Sequence, residues 1–84
     1  MKLTADLSLY PIQDDYVSVI DAFIEALRAT DGIDIVTNSM STQICGDYDR
    51  VFETVSRVLA ASQERFGNQV LVVKFIPGAH ELRP

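Results

Sequence analysis

Two stretches of helical apolar periodicity, each flanked by strand-like alternation, leave this chain very few folds. From Lys2 to Tyr10 the residues alternate, with Leu3, Ala5, Leu7 and Leu9 on one face and Thr4, Asp6, Ser8 and Tyr10 on the other. That pattern predicts a strand covered on one side only, closed by Pro11. Tyr16, Val17, Ile20, Phe23, Ile24 and Leu27 then recur with helical spacing, opened by Asp14-Asp15 as N-cap carboxylates and ended by Asp31-Gly32. Ile33 to Thr37 is a short β-branched strand, Asn38-Ser39 predicts a tight turn, and Met40 to Cys45 is the returning strand, broken by Gly46. Asp47 is placed to cap a second helix with the stripe Tyr48, Val51, Phe52, Val55, Val58, Leu59 and Phe66, and Glu53 pairs with Arg57 on its outer side. Gln69 to Ile76 is the last strand, and Glu81-Leu82-Arg83-Pro84, beyond Pro77-Gly78, reads as a tail that frays.

The order β-α-β-β-α-β predicts an α+β, ferredoxin-like fold: a four-stranded antiparallel sheet in the order 4-1-3-2, with two helices on one face. Residues 1–84 make one domain, since a chain of 84 residues buries only about 60% of its unfolded surface and has no room for a second core. This topology sets the end of the first strand beside the hairpin turn and puts Asp47 at the opposite end of the sheet. The last strand is an edge, yet Val70, Val72 and Ile76 point one way while Leu71, Val73 and Phe75 point the other. An edge that is apolar on both faces predicts a homo-oligomer that buries the open sheet face.

Seven basic and twelve acidic residues give a net charge of −5, which repels phosphate backbones and anionic lipid and argues against nucleic-acid and membrane partners. The single Cys45 has no partner for an internal disulfide and no apolar leader opens the sequence, so a cytoplasmic setting is expected. The apolar run around Val70–Val73 is far too short to span a bilayer. The only histidine, His80, lies in the predicted tail, so no Ser or Cys has an evident general base. Cys45 reads as a small buried hydrophobe. There is no CxxC and no second histidine for a metal, no glycine-rich loop before a helix for a phosphate, and no aromatic but Tyr10 on the central strands for stacking RNA bases. Asp14-Asp15 and Asp47-Tyr48-Asp49 both open predicted helices, where carboxylates favour the positive end of the dipole.

These exclusions leave a cluster of uncharged polar residues: Ser8 and Tyr10 from the end of the first strand, and Asn38, Ser39, Ser41 and Thr42 from the hairpin. Hydroxyls and amides both donate and accept without carrying charge, which suits a pocket for a small heteroaromatic molecule. The alternative is that they make turn hydrogen bonds and solvate the open face of the sheet.

Ser8-Leu9-Tyr10-Pro11, the run Thr37-Asn38-Ser39-Met40-Ser41-Thr42-Gln43-Ile44-Cys45-Gly46-Asp47-Tyr48-Asp49 and the ending Ile76-Pro77-Gly78 together resemble the YkoF-type thiamine and hydroxymethylpyrimidine-binding family. The resemblance covers essentially the whole chain. It implies a ferredoxin-like module, single or duplicated, that binds thiamine or its pyrimidine precursor without catalysis, and it implies Ser8, Tyr10, Asn38, Ser39, Ser41 and Thr42 as the ligand-contact positions. No cofactor is expected besides the bound ligand itself. An aminopyrimidine offers a donor–acceptor edge to hydroxyls and amides, and Tyr10, Tyr16 or Tyr48 could face the thiazolium cation. The competing expectation is a structural or regulatory homo-oligomerisation module with no ligand. A small enzyme of the same fold comes third, lacking any recognisable acid–base pair.

Overall fold

Six elements succeed one another as the periodicities require: β1 (Lys2–Pro11), α1 (Tyr16–Arg28), β2 (Asp34–Thr37), β3 (Thr42–Asp47), α2 (Tyr48–Phe66) and β4 (Gln69–Pro77). The computed structural model describes residues 1–84. The strands form one antiparallel sheet in the order β2-β3-β1-β4, with both helices on one face, which is the ferredoxin-like α+β arrangement.

Register puts Leu3, Ala5 and Leu7 of β1 opposite Gly46, Ile44 and Thr42 of β3, and Ala5, Leu7 and Leu9 opposite Phe75, Val73 and Leu71 of β4. Because side chains alternate along a strand, all of these face the helices. There they meet Phe23 and Leu27 of α1 and Val51, Val55 and Val58 of α2 to form the core. The other face carries Thr4, Asp6, Ser8 and Tyr10 in the centre and Val70, Val72, Lys74 and Ile76 along the β4 edge.

Several local expectations are corrected. α1 buries Val19, Phe23 and Leu27, while Tyr16 and Val17 in its first turn are more than half exposed. In α2 the buried stripe includes Thr54 and Ser62, whereas Phe52 is exposed. Thr54 is tolerated there because its hydroxyl donates to the Arg50 carbonyl one turn back, at 2.7 Å. Neither Asp15 nor Asp47 caps its helix through the side chain. Asp47 lies opposite Lys2 at the end of the β1–β3 ladder and forms an ion pair with it at 3.0 Å. Gly46 does not break β3 but sits within it. A Cβ there would come within 2.8 Å of the Gly32 carbonyl oxygen and 2.9 Å of Ile33 Cδ1, so the residue marks a close backbone approach. The expected i, i+4 pair of Glu53 and Arg57 forms at 3.1 Å.

Candidate functional site

The hairpin turn is longer than a tight two-residue reversal. β2 ends at Thr37 and β3 begins at Thr42, so Asn38 to Ser41 form a four-residue loop, closed by the Asn38 amide donating to the Ser41 carbonyl at 3.0 Å. The Asn38 side chain organises it. Its Oδ1 accepts from the amides of Met40 at 2.9 Å and Ser41 at 3.1 Å, the local bonding that makes asparagine a turn former.

The longer loop matters because of where β3 starts. Its last pairing with β1 is Thr42 to Leu7, so Ser8 to Pro11 continue beyond it with only β4 beside them. Along that stretch, alternate backbone groups of β1 face a side that no strand covers. α1 passes above the gap. The result is a cleft of about 230 Å³ between α1, the end of β1 and the hairpin turn, lined by Leu7, Ser8, Leu9, Tyr10, Ile20, Phe23, Ile24, Thr37, Asn38, Ser39, Met40, Ser41 and Thr42.

All six residues singled out in the sequence line this cleft. Their roles differ. Thr42 is buried on the helix-facing side of the sheet, opposite Thr37, and the two hydroxyls lie 3.1 Å apart. One hydroxyl donates to the other, which leaves one hydrogen and several lone pairs of the pair for a further partner. Ser41 instead donates to the Asp6 carboxylate on the open face. Asn38 is occupied by the turn, and Ser39 and Met40 are exposed at its tip. Ser8 and Tyr10 point the opposite way from Leu7 and Leu9, and Tyr10 is 57% exposed at the rim.

The apolar half of the lining was not foreseen from sequence. Ile20, Phe23 and Ile24 read as core by their helical spacing, yet the same stripe also roofs the cleft. The signal was present in the pairing of a long first strand with a short hairpin. Tyr48 is not near this site: it lies at the Asp47 end, with its ring 5.2 Å from that of Phe52. Tyr16 does not line the cleft either, so of the three tyrosines only Tyr10 reaches it.

The electrostatics of the cleft are simple, since none of its lining residues is charged. Perturbed ionisation occurs at the other end of the sheet. There the hydrogen bond and charge of Asp47 hold the Lys2 amine above its ordinary range, and Lys2 in turn holds the Asp47 carboxyl below the usual carboxylate range. Elsewhere, Cys45 is buried, with its Sγ 3.5 Å from the Thr4 hydroxyl oxygen. His80 is exposed, with its ring near only the Pro77 carbonyl. No three His, Cys, Asp or Glu side chains converge as a metal site would require, and no helix is long and apolar enough to cross a membrane.

A ferredoxin-like module with a neutral, hydroxyl-bearing cleft beside its first helix is thus the class of protein that fold and geometry define. The chain belongs to the YkoF-related family, whose model matches residues 2–76. Solved structures agree on the fold. A Streptococcus pneumoniae protein superposes with a TM-score of 0.85 at 22% identity, covering 94% of this chain and 89% of its own. A Thermotoga maritima protein, provisionally assigned to thiamine biosynthesis or salvage, gives 0.80 at 19% identity, covering 89% and 82%. A Methanocaldococcus jannascii protein of hypothetical status gives 0.78 at 19% identity, covering 96% and 84%. Comparison with curated protein sequences gave no match.

Proposed function

We propose that this chain is a cytosolic, non-catalytic binding protein for thiamine or its hydroxymethylpyrimidine moiety, held in the cleft beside α1. The observation that carries this reading is the Thr37–Thr42 hydroxyl pair set in an uncharged cleft whose lining is about half apolar. A ring nitrogen and an exocyclic amine present alternating acceptor and donor, which a hydroxyl pair with spare hydrogen and lone pairs can match. Phe23, Ile20 and Ile24 supply the apolar wall against the ring faces. The volume of 230 Å³ lies below the roughly 300 Å³ at which pockets begin to enclose drug-sized ligands, so the pyrimidine ring enters and the thiazolium of thiamine stays at the mouth, near Tyr10. Membership of the YkoF-related family and the assignment of the Thermotoga maritima relative support the same ligand class.

Thermal melts with and without ligand test the proposal. A ligand present at 100 times its dissociation constant adds about 2.7 kcal/mol. For a domain of this size that raises Tm by roughly 4–8 °C per kcal/mol. No shift with thiamine or hydroxymethylpyrimidine sinks the reading.

A homo-oligomer accompanies this proposal. Val70, Val72 and Ile76 stand on the open face of β4 at 49%, 45% and 50% exposure, apolar side chains on an edge strand interrupted only by Lys74. A single copy sedimenting as a monomer at tens of micromolar removes it.

A further inference from the structure

The segment expected to fray lies back along the sheet. Gly78 reverses the chain with φ of +107°, a conformation open to glycine and strained for other residues. Its amide donates to the Lys2 carbonyl at 2.8 Å, and its carbonyl accepts from the Thr4 hydroxyl at 2.9 Å. The His80 amide then donates to the same hydroxyl at 3.3 Å. Thr4 stands on the face away from the helices, opposite Cys45, and both are buried although no helix covers that face. At the far end the Asn38 Nδ2 donates to the Arg83 carbonyl at 3.3 Å, and Leu82 between them is half-buried. The segment therefore runs from the Lys2 end of the sheet to the hairpin turn.

We propose that Gly78–Arg83 is a strap that fixes the Asn38–Ser41 turn over the cleft, with Asn38 as the positioning residue that joins the two. The amide side chain of Asn38 spends its acceptor on the turn amides of Met40 and Ser41 and a donor on Arg83, so it holds the wall of the cleft rather than reading a ligand. Fixing that wall beforehand spares the ligand the cost of ordering it. The strap's consequence for affinity rests on the binding reading above; its effect on the turn does not.

Two variants of the full chain release the strap from opposite ends. Asn38→Asp keeps the acceptor for the turn amides and loses the donor to Arg83. Thr4→Val detaches Gly78 and His80 at a position outside the cleft lining. Hydrogen exchange in the ligand-free protein reads the turn directly: the Met40 and Ser41 amides exchange roughly 2- to 12-fold faster in both variants, as expected for loss of a single hydrogen bond, while the Ala5 and Ile44 amides hold their rates. Titration with hydroxymethylpyrimidine then shows a dissociation constant raised by roughly 2- to 12-fold. Unchanged Met40 and Ser41 exchange in both variants overturns the strap. Faster exchange with unchanged affinity overturns its control of the cleft. Absence of hydroxymethylpyrimidine binding in the wild-type chain defeats the ligand reading, and the strap is then decided by exchange alone.

Discussion

Converting Thr42 to valine removes one hydroxyl while keeping the side-chain shape, so its cost reduces to the hydrogen bond that is lost. Thr42 is 7% exposed and its Oγ1 lies 3.1 Å from that of Thr37, and the substitution strands the Thr37 hydroxyl. An unsatisfied buried hydroxyl costs about 1–3 kcal/mol, and the half-buried setting of Thr37 places this case at the lower end. Each kcal/mol lowers Tm by roughly 4–8 °C in a domain of this size. Removing both hydroxyls, in Thr37→Val/Thr42→Val, takes away the stranded group as well and returns part of that stability. Ligand affinity behaves differently. Each lost hydroxyl deprives the pyrimidine edge of a partner, weakening hydroxymethylpyrimidine about 5- to 150-fold, and the double variant recovers none of it. Circular-dichroism melts and calorimetric titration of the wild type, both single variants and the double variant form one cycle. A double variant no more stable than the worse single one, or single variants that both bind as the wild type does, would refute this assignment of the hydroxyl pair.

Gly46→Ala pushes a methyl group against the Gly32 carbonyl and the Ile33 side chain, and thermal melts should show a loss of about 1–3 kcal/mol. The Lys2–Asp47 pair makes a small, salt-sensitive contribution, since both side chains are largely exposed. Its carboxyl is depressed when folded, so the contribution is present above the ordinary carboxylate range and fades as pH falls through the folded value; the raised Lys2 loses it only at strongly alkaline pH. Asp47→Asn should flatten the acid limb of a stability–pH curve relative to wild type, and identical curves contradict the assignment. Val72→Lys places a charge in the middle of the exposed β4 strip and should shift sedimentation toward the monomer without lowering Tm of the isolated domain.

The fold was legible because its signals are strong and local. The alternation of Leu3, Ala5, Leu7 and Leu9 and the two helical stripes each fit one structure, and right-handed crossovers leave one way to join them. The six candidate site residues came together because the topology forces the end of β1 to lie beside the hairpin. Errors arose where tertiary contact overrides local chemistry. Asp47 looks like a cap in sequence, but Lys2 competes for it across the sheet. Gly46 looks like a breaker, but its small size serves a close approach inside a strand. The strap was invisible because Thr4 and Asn38, which hold it, lie 74 and 45 residues away from their partners Gly78 and Arg83. The roof of the cleft was hidden by the periodicity that correctly placed α1, which does not say where β3 stops short of β1 beneath the helix.

Calorimetric titration of hydroxymethylpyrimidine, and then of thiamine, into the purified protein at low salt decides whether the cleft is a vitamin site. Saturable binding of one ligand per chain at micromolar or tighter affinity is expected, weakened in Thr42→Val. Absence of heat with both compounds, in a sample whose fold and oligomeric state are intact, contradicts the binding reading and leaves the homo-oligomeric module as the better description of this chain.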